Sequence, residues 1–267
     1  MATPDTVTYD NSEIRLVVEK LRLMGYASFW CVVMTGYLLT RLFSDLDLQD
    51  SHLMHVFGYN NICVYFDYPP STYVLPMLWA FTLVILLIYI VTHWLHMKAE
   101  LKLGRLTPGL YKTLSGLKAF EAIALISFST SFAVSPEDHN HTMFVHTLPF
   151  FLLQLGLVSL AMSNTLHGIK SGYWRRLGLP SWFTSGAVIY CIIFAIIVAF
   201  KIPVAANALT GGLWWVQSTS LIDLAKLLDQ LFFVFAAMIP MVKAMYLLLT
   251  RANKLDMVVL TPGIRAQ

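Results

Sequence analysis

The residues that first suggest chemistry are polar side chains inside long apolar stretches of the chain. Glu121 lies well inside one such stretch, and His146 and Asn164 lie in the next one. A charged side chain at the centre of a membrane costs about 2.5–3.5 kcal/mol on insertion scales, so it usually faces the bundle interior and often marks function. The spacing of His146 and Asn164 is a whole number of helical turns, which puts both on one helix face. We therefore predict that these three residues line a ligand site or an ion path.

A structural explanation stays open for these residues. Lys118 precedes Glu121 by about one helical turn and could form an ion pair with it. Asn164, and Gln154 on a neighbouring face, could instead make interhelical hydrogen bonds, which contribute about 1 kcal/mol or less each in membranes. We favour hydrogen bonding for Asn164 and Gln154, whereas the sequence does not choose between function and packing for Glu121 and His146.

Two further charged residues lie at the start of the last apolar stretch. Lys226 and Asp229 are one helical turn apart, so a helix would carry them on the same side. In a channel or transporter, these two residues and Glu121 are the side chains expected to line the path.

Histidines and carboxylates also occur between the apolar stretches, where they suggest metal binding. The candidate ligands are His52, His55, Glu137, Asp138 and His141. Imidazole and carboxylate groups bind zinc and other divalent ions, and His52 and His55 have a spacing that one helix face can present to a metal. A divalent metal is therefore the one cofactor that the sequence suggests.

The elements that must position these residues are predicted to be transmembrane helices. The chain has 267 residues, of which 57% are hydrophobic and 12% are charged, whereas soluble domains contain about 25% charged residues. A hydrocarbon core of about 30 Å requires about 20 apolar residues per helix. Segments of this size are Met24–Phe43, Val74–His96, Thr113–Val134, Met143–Thr165, Trp182–Phe200 and Leu228–Thr250. The predicted fold is all-α, a polytopic six-helix transmembrane bundle.

Lysine and arginine residues predict how this bundle is oriented. Neither residue type occurs between Leu42 and Met97 or between Ala119 and Ile169, while both occur in the termini and in the second and fourth connections. The positive-inside rule therefore predicts cytosolic termini. The predicted organisation is a cytosolic segment over 1–23, a transmembrane domain over 24–250 and a cytosolic tail over 251–267. Apolar and charged residues alternate between Glu13 and Arg22 with helical periodicity, which favours an amphipathic helix on the membrane surface, with Glu19 and Arg22 on its polar face.

Several functional classes have no support in the sequence. The chain has no nucleotide-binding glycine motif, no zinc-protease motif and no basic region typical of nucleic-acid binding. Nucleophiles and general bases do not converge on one locus, so enzymatic activity is uncertain and we lean against it. Two of the three cysteines lie in apolar stretches, so no disulfide framework is implied.

Topology and a short run of polar residues resemble the Frag1/DRAM/Sfk1 family of six-span membrane proteins. The matching positions are Glu121, Ser135, Glu137, Asp138, His141 or His146, Phe150–Phe151 and Asp229. The resemblance implies a protein that acts on membrane lipids or on their regulation, such as GPI-anchor lipid remodelling, phosphoinositide-kinase support or autophagy modulation.

Three functional hypotheses follow for this multi-pass protein of the plasma membrane or an endomembrane. The first is a lipid-associated or regulatory protein with a polar site near the outer leaflet. The second is an oligomeric ion or solute channel or transporter. The third is a structural or assembly subunit of a larger membrane complex. The expected partners are membrane lipids, further copies of the chain or other membrane subunits, and no nucleic acid is expected.

Overall fold

The computed structural model describes residues 14–44, 47–134, 140–209, 219–255 and 257–260, and nearly all of them are helical. In chain order the helices are α1 (Val18–Phe43), α2 (His52–Phe57), α3 (Val64–Asp67), α4 (Ser71–Lys102), α5 (Pro108–Phe128), α6 (Asn140–Lys170), α7 (Tyr173–Arg176), α8 (Ser181–Leu209), α9 (Thr219–Phe233) and α10 (Ile239–Arg251). Strands β1 (Ile14–Val17) and β2 (Met257–Leu260) form a short antiparallel pair. The predicted all-α class is confirmed.

Within the described ranges, five helical segments are long and apolar enough to cross a membrane. They are Val18–Phe43, Ser71–Lys102, Val145–Lys170, Ser181–Pro203 and Ile222–Lys254. The third predicted span, Thr113–Val134, corresponds to helix α5, which is not among the five because it contains Lys112, Lys118 and Glu121. Helix α5 nevertheless packs lengthwise against α6. The multi-pass character is supported, and the number of six spans stays a prediction.

The N-terminal amphipathic helix predicted from Glu13 is not what the described residues show. Residues Ile14–Val17 form strand β1, and helix α1 begins at Val18 and continues without a break through the predicted domain boundary. Glu19 and Arg22, predicted on a solvent-facing side, are both buried. Their burial is tolerated because the two side chains form an ion pair 2.8 Å apart, which neutralises both charges inside the bundle.

The bundle core is formed by helices that approach closely at small residues. Helix α5 packs on α6, α1 packs on α4, and α6 packs on α8. At the α5–α6 crossing, a Cβ added to Gly156 would lie only 2.5 Å from the Cβ of Ala124. Small residues permit such close backbone approach in membrane helices, so Gly156 determines how near α6 can lie to the residues of α5.

The last long helical segment is interrupted by a π-helical turn at Val234–Met238, between α9 and α10. The Ile239 N–H donates to the carbonyl of Val234, and Pro240 has no N–H to offer to the next carbonyl. The carbonyl of Phe235 instead accepts a hydrogen bond of 2.9 Å from the hydroxyl of Tyr190 on α8. A tertiary contact thus satisfies the backbone group that the proline leaves unpaired.

The two ends of the bundle differ in what lies there. At one end are the β1–β2 pair, α7 and the connection from α4 to α5, where Glu100 contacts Arg105 and Arg176. We call this the inner end, because the sequence predicts that it faces the cytosol. At the other end, here the outer end, α2 packs on α8 and α3 packs on α1 and α4.

Candidate functional site

The main candidate site is a polar cavity in the outer half of the bundle, which we call the outer cavity. Its volume is about 40 Å³. A cavity needs roughly 10–15 Å³ to hold one water. Its walls come from the connection between α1 and α4 and from α5, α6, α8 and α9. The polar side chains in its wall are Tyr59, Asn61, Cys63, Asp67, Ser131, His146, Thr147, Gln154, Lys201 and Asp229.

A buried ion pair between two helices forms one side of the outer cavity. The ammonium group of Lys201 on α8 contacts one carboxylate oxygen of Asp229 on α9, and the Tyr59 hydroxyl donates a hydrogen bond to the other oxygen. The same ammonium lies 4.8 Å from the ring centroid of Phe150 and 5.0 Å from that of Phe232. Burial, and secondarily the Asp229 carboxylate, raises the pKa of Tyr59 well above its usual value, so this hydroxyl stays a neutral donor.

A histidine and a carboxylate face each other across another part of the cavity. His146 Nδ1 lies 2.8 Å from the carbonyl oxygen of Val134, and its Nε2 lies 3.4 Å from Asp67 Oδ1. A carbonyl oxygen only accepts, so Nδ1 must carry a hydrogen in this geometry. A favourable contact between Nε2 and Asp67 then needs one more proton, on the imidazole or on the carboxyl group. The pair is therefore a place where a proton or another hydrogen-bond donor can be held.

Gln154 on α6 is the least satisfied polar group of the outer cavity. Its side chain is completely buried, and neither its amide nitrogen nor its amide oxygen has a hydrogen-bond partner among the residues described. A buried polar group left unsatisfied costs about 1–3 kcal/mol, so such groups usually mark a place that a ligand or water fills. The interhelical hydrogen bond favoured for Gln154 from the sequence is not formed with these residues.

A second cavity of about 40 Å³, here the middle cavity, lies directly beside the outer one. The two cavities share Phe66, Phe128 and Phe150 in their walls. The other wall residues are apolar or aromatic apart from Glu121, and they include Ala236 and Ala237 of the π-helical turn. A space lined by many polar side chains and an almost wholly apolar space thus lie next to each other, with three phenylalanine side chains in the walls of both.

Glu121 joins a buried polar row in the inner half of the bundle. Its Oε2 lies 3.1 Å from Lys118 Nζ, which is the pairing that the sequence left open. Lys118 also donates to Asn164 Oδ1 at 3.2 Å, and the Tyr89 hydroxyl donates to the same oxygen at 3.1 Å. The second carboxylate oxygen, Glu121 Oε1, is buried without a hydrogen-bond partner in the described part of the chain.

The structure separates some residues that the sequence grouped together. His146 lies beside Asp67 at the outer end, whereas Asn164 contacts Lys118 and Tyr89 in the inner half. They share a helix, but a spacing of this length corresponds to about 27 Å along its axis. His146 and Asn164 therefore belong to two different polar sites, and Glu121 belongs with Asn164.

Lys226 does not join Asp229 in the outer cavity, contrary to their predicted common path. The buried face of α9 consists of Ala225, Leu228, Asp229 and Phe232, which have the i, i+3, i+4, i+7 spacing of one helix face. Lys226 lies off this face and is exposed. The partner of Asp229 is Lys201 instead, which lies just outside the fifth span predicted from the sequence, although α8 continues to Leu209.

Asp67 and Tyr59 were also missed, because both lie in the connection between the first two long helices. The only local signal for Asp67 was its position next to aromatic residues. No feature of the local sequence indicates that Asp67 meets His146 or that Tyr59 meets Asp229.

The predicted metal ligands do not assemble into a site among the described residues. His55 is exposed and lies 3.4 Å from Asp50, while His52 is half-buried and does not line the outer cavity. Glu137, Asp138 and the side chain of His141 lie outside the described residues. Within the described ranges no group of three or more histidine, cysteine or acidic residues could hold a metal ion.

Comparison with known proteins adds no relative. No family model matches the chain, and neither the curated proteins nor the solved structures include a significant match. The similarity to the Frag1/DRAM/Sfk1 family therefore stays a prediction, and the functional argument depends on the geometry described above.

Proposed function

We propose that this protein is a multi-pass membrane protein that binds an amphipathic lipid inside its helix bundle. The outer cavity would take a small polar part of the lipid and the middle cavity a short apolar part, since each has room for only a few water-sized groups. The observation that carries the proposal is the adjacency of these two spaces, which share three phenylalanine walls and differ in that many polar side chains line the outer cavity whereas Glu121 is the one charged residue that lines the middle cavity. An amphipathic molecule is the ligand class that matches both.

The chemistry of the outer cavity supports a polar group with hydrogen-bond donors and acceptors. Gln154 offers one amide donor group and one acceptor that no described residue uses. His146 Nε2 lies 3.4 Å from Asp67 Oδ1, so a hydrogen-bond donor of a ligand could bind beside this pair. Lys201 and Asp229 neutralise each other, and the cavity therefore does not demand a strongly charged ligand.

The outer cavity gives little support to nucleophilic catalysis. Cys63 is the thiol in its wall, and burial, with a contribution from Asp67, raises the pKa of that thiol well above its usual value. The thiolate is the reactive form of cysteine, so Cys63 is a neutral thiol at physiological pH. A binding role suits this group better than a catalytic one.

The test is to measure the lipid that purifies with the protein and with the variant Gln154→Leu. Native mass spectrometry from mild detergent should show a bound lipid on the wild type and a strongly reduced fraction of lipid-bound Gln154→Leu. Leucine has a similar volume and removes the unsatisfied amide, so the variant should unfold at the same temperature as the wild type or at a higher one.

The matched control is Gln49→Leu, because Gln49 is exposed in the connection before α2. This variant should retain the lipid of the wild type. The proposal is wrong if the wild type carries no lipid, or if Gln154→Leu retains the same lipid to the same extent as Gln49→Leu.

A further inference from the structure

One carboxylate oxygen of a residue in the wall of the middle cavity has no hydrogen-bond partner. Glu121 lines this cavity and is only 1% exposed. Its Oε2 lies 3.1 Å from Lys118 Nζ, whereas its Oε1 is buried without a partner among the described residues. A carboxylate has about four acceptor positions on its two oxygens, so an ion pair through one oxygen leaves the other oxygen open to a donor.

The ion pair with Lys118 accounts for only part of the surroundings of Glu121. Lys118 Nζ also donates to Asn164 Oδ1 at 3.2 Å and lies 5.2 Å from the ring centroid of Tyr89. Lys118, Asn164 and Tyr89 do not line the middle cavity. Glu121 is therefore the one member of this buried polar group that also borders the apolar space.

The rest of the cavity wall determines which kind of donor fits beside Glu121. Leu125 of α5 and Leu153 and Leu157 of α6 are among the apolar side chains that line the cavity. A ligand ammonium group would bring a further charge into this apolar space, where Lys118 already neutralises Glu121, and burying an unpaired charge is very costly. A hydroxyl group is a small neutral donor that forms short, strong hydrogen bonds with carboxylates. The wall therefore fits a hydroxyl group flanked by hydrocarbon.

The position of Glu121 along α5 places this acceptor deeper in the bundle than the outer cavity. Phe128, which lies in the walls of both cavities, follows Glu121 by about two helical turns, or roughly 10 Å along the helix axis. Ser131 and Phe132, which line the outer cavity, follow further along the chain towards the outer end. A lipid whose polar part lies in the outer cavity would thus reach Glu121 with a group located further along its hydrocarbon part.

We infer that the middle cavity binds a hydroxyl group in the apolar part of the lipid, with Glu121 Oε1 as its acceptor. This inference rests on the proposed function and adds a ligand class to it, namely lipids that have a hydroxyl group within their hydrocarbon part. The hydroxyl donates to Oε1 while Lys118 stays bonded to Oε2, and no proton is transferred. Glu121 is thus a specificity-determining residue, because a lipid without the hydroxyl leaves Oε1 buried and unpaired.

The test is a competition between two probes that differ by a single oxygen atom. The probes are 1-monoacylglycerols with acyl chains of six, eight or ten carbons, each with and without a hydroxyl group on the last carbon. Protein freed of co-purified lipid by detergent washing is incubated with an equimolar pair, and native mass spectrometry separates the two complexes by mass. For at least one chain length the wild type should prefer the hydroxylated probe by about ten- to a hundredfold, which is the usual effect of a hydrogen bond to a charged group.

The variants replace both partners of the ion pair, because removing one partner alone leaves a buried charge uncompensated. Lys118→Met/Glu121→Met removes the acceptor and should prefer the unsubstituted probe, since the hydroxyl would then be buried without a partner. Lys118→Met/Glu121→Gln keeps a neutral acceptor oxygen and should show a weaker preference for the hydroxylated probe than the wild type. The matched control is Glu19→Met/Arg22→Met, which removes a buried ion pair that lines neither the outer nor the middle cavity and should keep the wild-type preference.

Each variant is compared only if it elutes as the wild type does in size-exclusion chromatography, and either of the two Glu121 variants suffices for the test. Equal binding of both probes by the wild type at every chain length overturns the inference but leaves the proposed lipid binding intact. A wild type that purifies without lipid and binds neither probe overturns both. A wild-type preference that persists in either Glu121 variant shows that Glu121 is not the acceptor and overturns the inference.

Discussion

At the scale of single residues, the least expected feature is a lysine of α8 that is buried beside a carboxylate of α9. Lys201 and Asp229 are only 6% and 5% exposed, and such a pair is stable only while both partners are present. Removing one partner leaves the other charge buried and uncompensated, which typically costs about 3–5 kcal/mol.

We therefore expect Lys201→Met to lower the free energy of unfolding by about 3–5 kcal/mol, because Asp229 then keeps only the hydrogen bond from Tyr59. The double variant Lys201→Met/Asp229→Asn should recover most of this loss. Thermal unfolding followed by intrinsic tryptophan fluorescence measures both effects.

Lys226→Met is the control for that comparison, since Lys226 is exposed on the same helix as Asp229. Its unfolding temperature should equal that of the wild type. A double variant that is no more stable than Lys201→Met would contradict the assignment of the buried pair.

The candidate site was only partly predictable at this scale. Glu121 and Asp229 were identified because a carboxylate in an apolar stretch is conspicuous without any knowledge of its neighbours. Lys201 and Asp67 lie outside the predicted spans, where charged residues are ordinary, so neither stood out as a buried charge. Their burial depends on how far α8 extends and on where the connection after α1 packs.

At the scale of elements, the distance between α5 and α6 determines whether Lys118, the partner of Glu121, can reach Asn164. The α6 backbone approaches α5 at Gly156, where an added Cβ would also lie 3.7 Å from the Cα of Glu121. A methyl group at this position would push α6 away from α5 and would lengthen the contacts of Lys118 with Asn164.

Gly156→Ala should accordingly destabilise the protein by about 1–3 kcal/mol, the usual cost of overpacking. Gly186→Ala is the control, because Gly186 lies within helix α8 and an added Cβ there meets no atom within 4 Å. Gly186→Ala should leave the unfolding temperature unchanged or slightly raised. Equal unfolding temperatures for the two alanine variants would show that α5 and α6 are not in close contact at this crossing.

At the scale of the whole molecule, the residues nearest the two chain ends are tied together. Residues Ile14–Val17 pair with Met257–Leu260, which is consistent with an even number of membrane crossings. The connection from α4 to α5 lies at the same end of the bundle, because Arg176 of α7 contacts Glu100 at the end of α4 and Val17 of β1 packs with the buried residues of α7. The positive-inside rule and the positions of these segments thus both predict that the two termini and the connection from α4 to α5 face the same side of the membrane.

The expectation can be checked by labelling single cysteines with a membrane-impermeant maleimide in a variant whose own cysteines are replaced by serine. Asp47→Cys, at the outer end, should react in intact cells. Lys102→Cys and Lys254→Cys, both exposed at the inner end, should react only after permeabilisation. Reaction of Lys254→Cys in intact cells would show that the predicted orientation is wrong.

The amino-acid sequence alone is enough to predict an all-α membrane protein and the positions of most of its long helices. That information is local, because every backbone polar group in lipid must be paired within the protein. An apolar stretch of sufficient length pairs its own backbone groups by forming a helix. Tertiary structure alone decided which polar side chains meet. The contacts of His146 with Asp67, of Lys201 with Asp229 and of Asn164 with Lys118 depend on the rotation and axial offset of packed helices. Helical periodicity describes each helix separately and contains no information about those offsets.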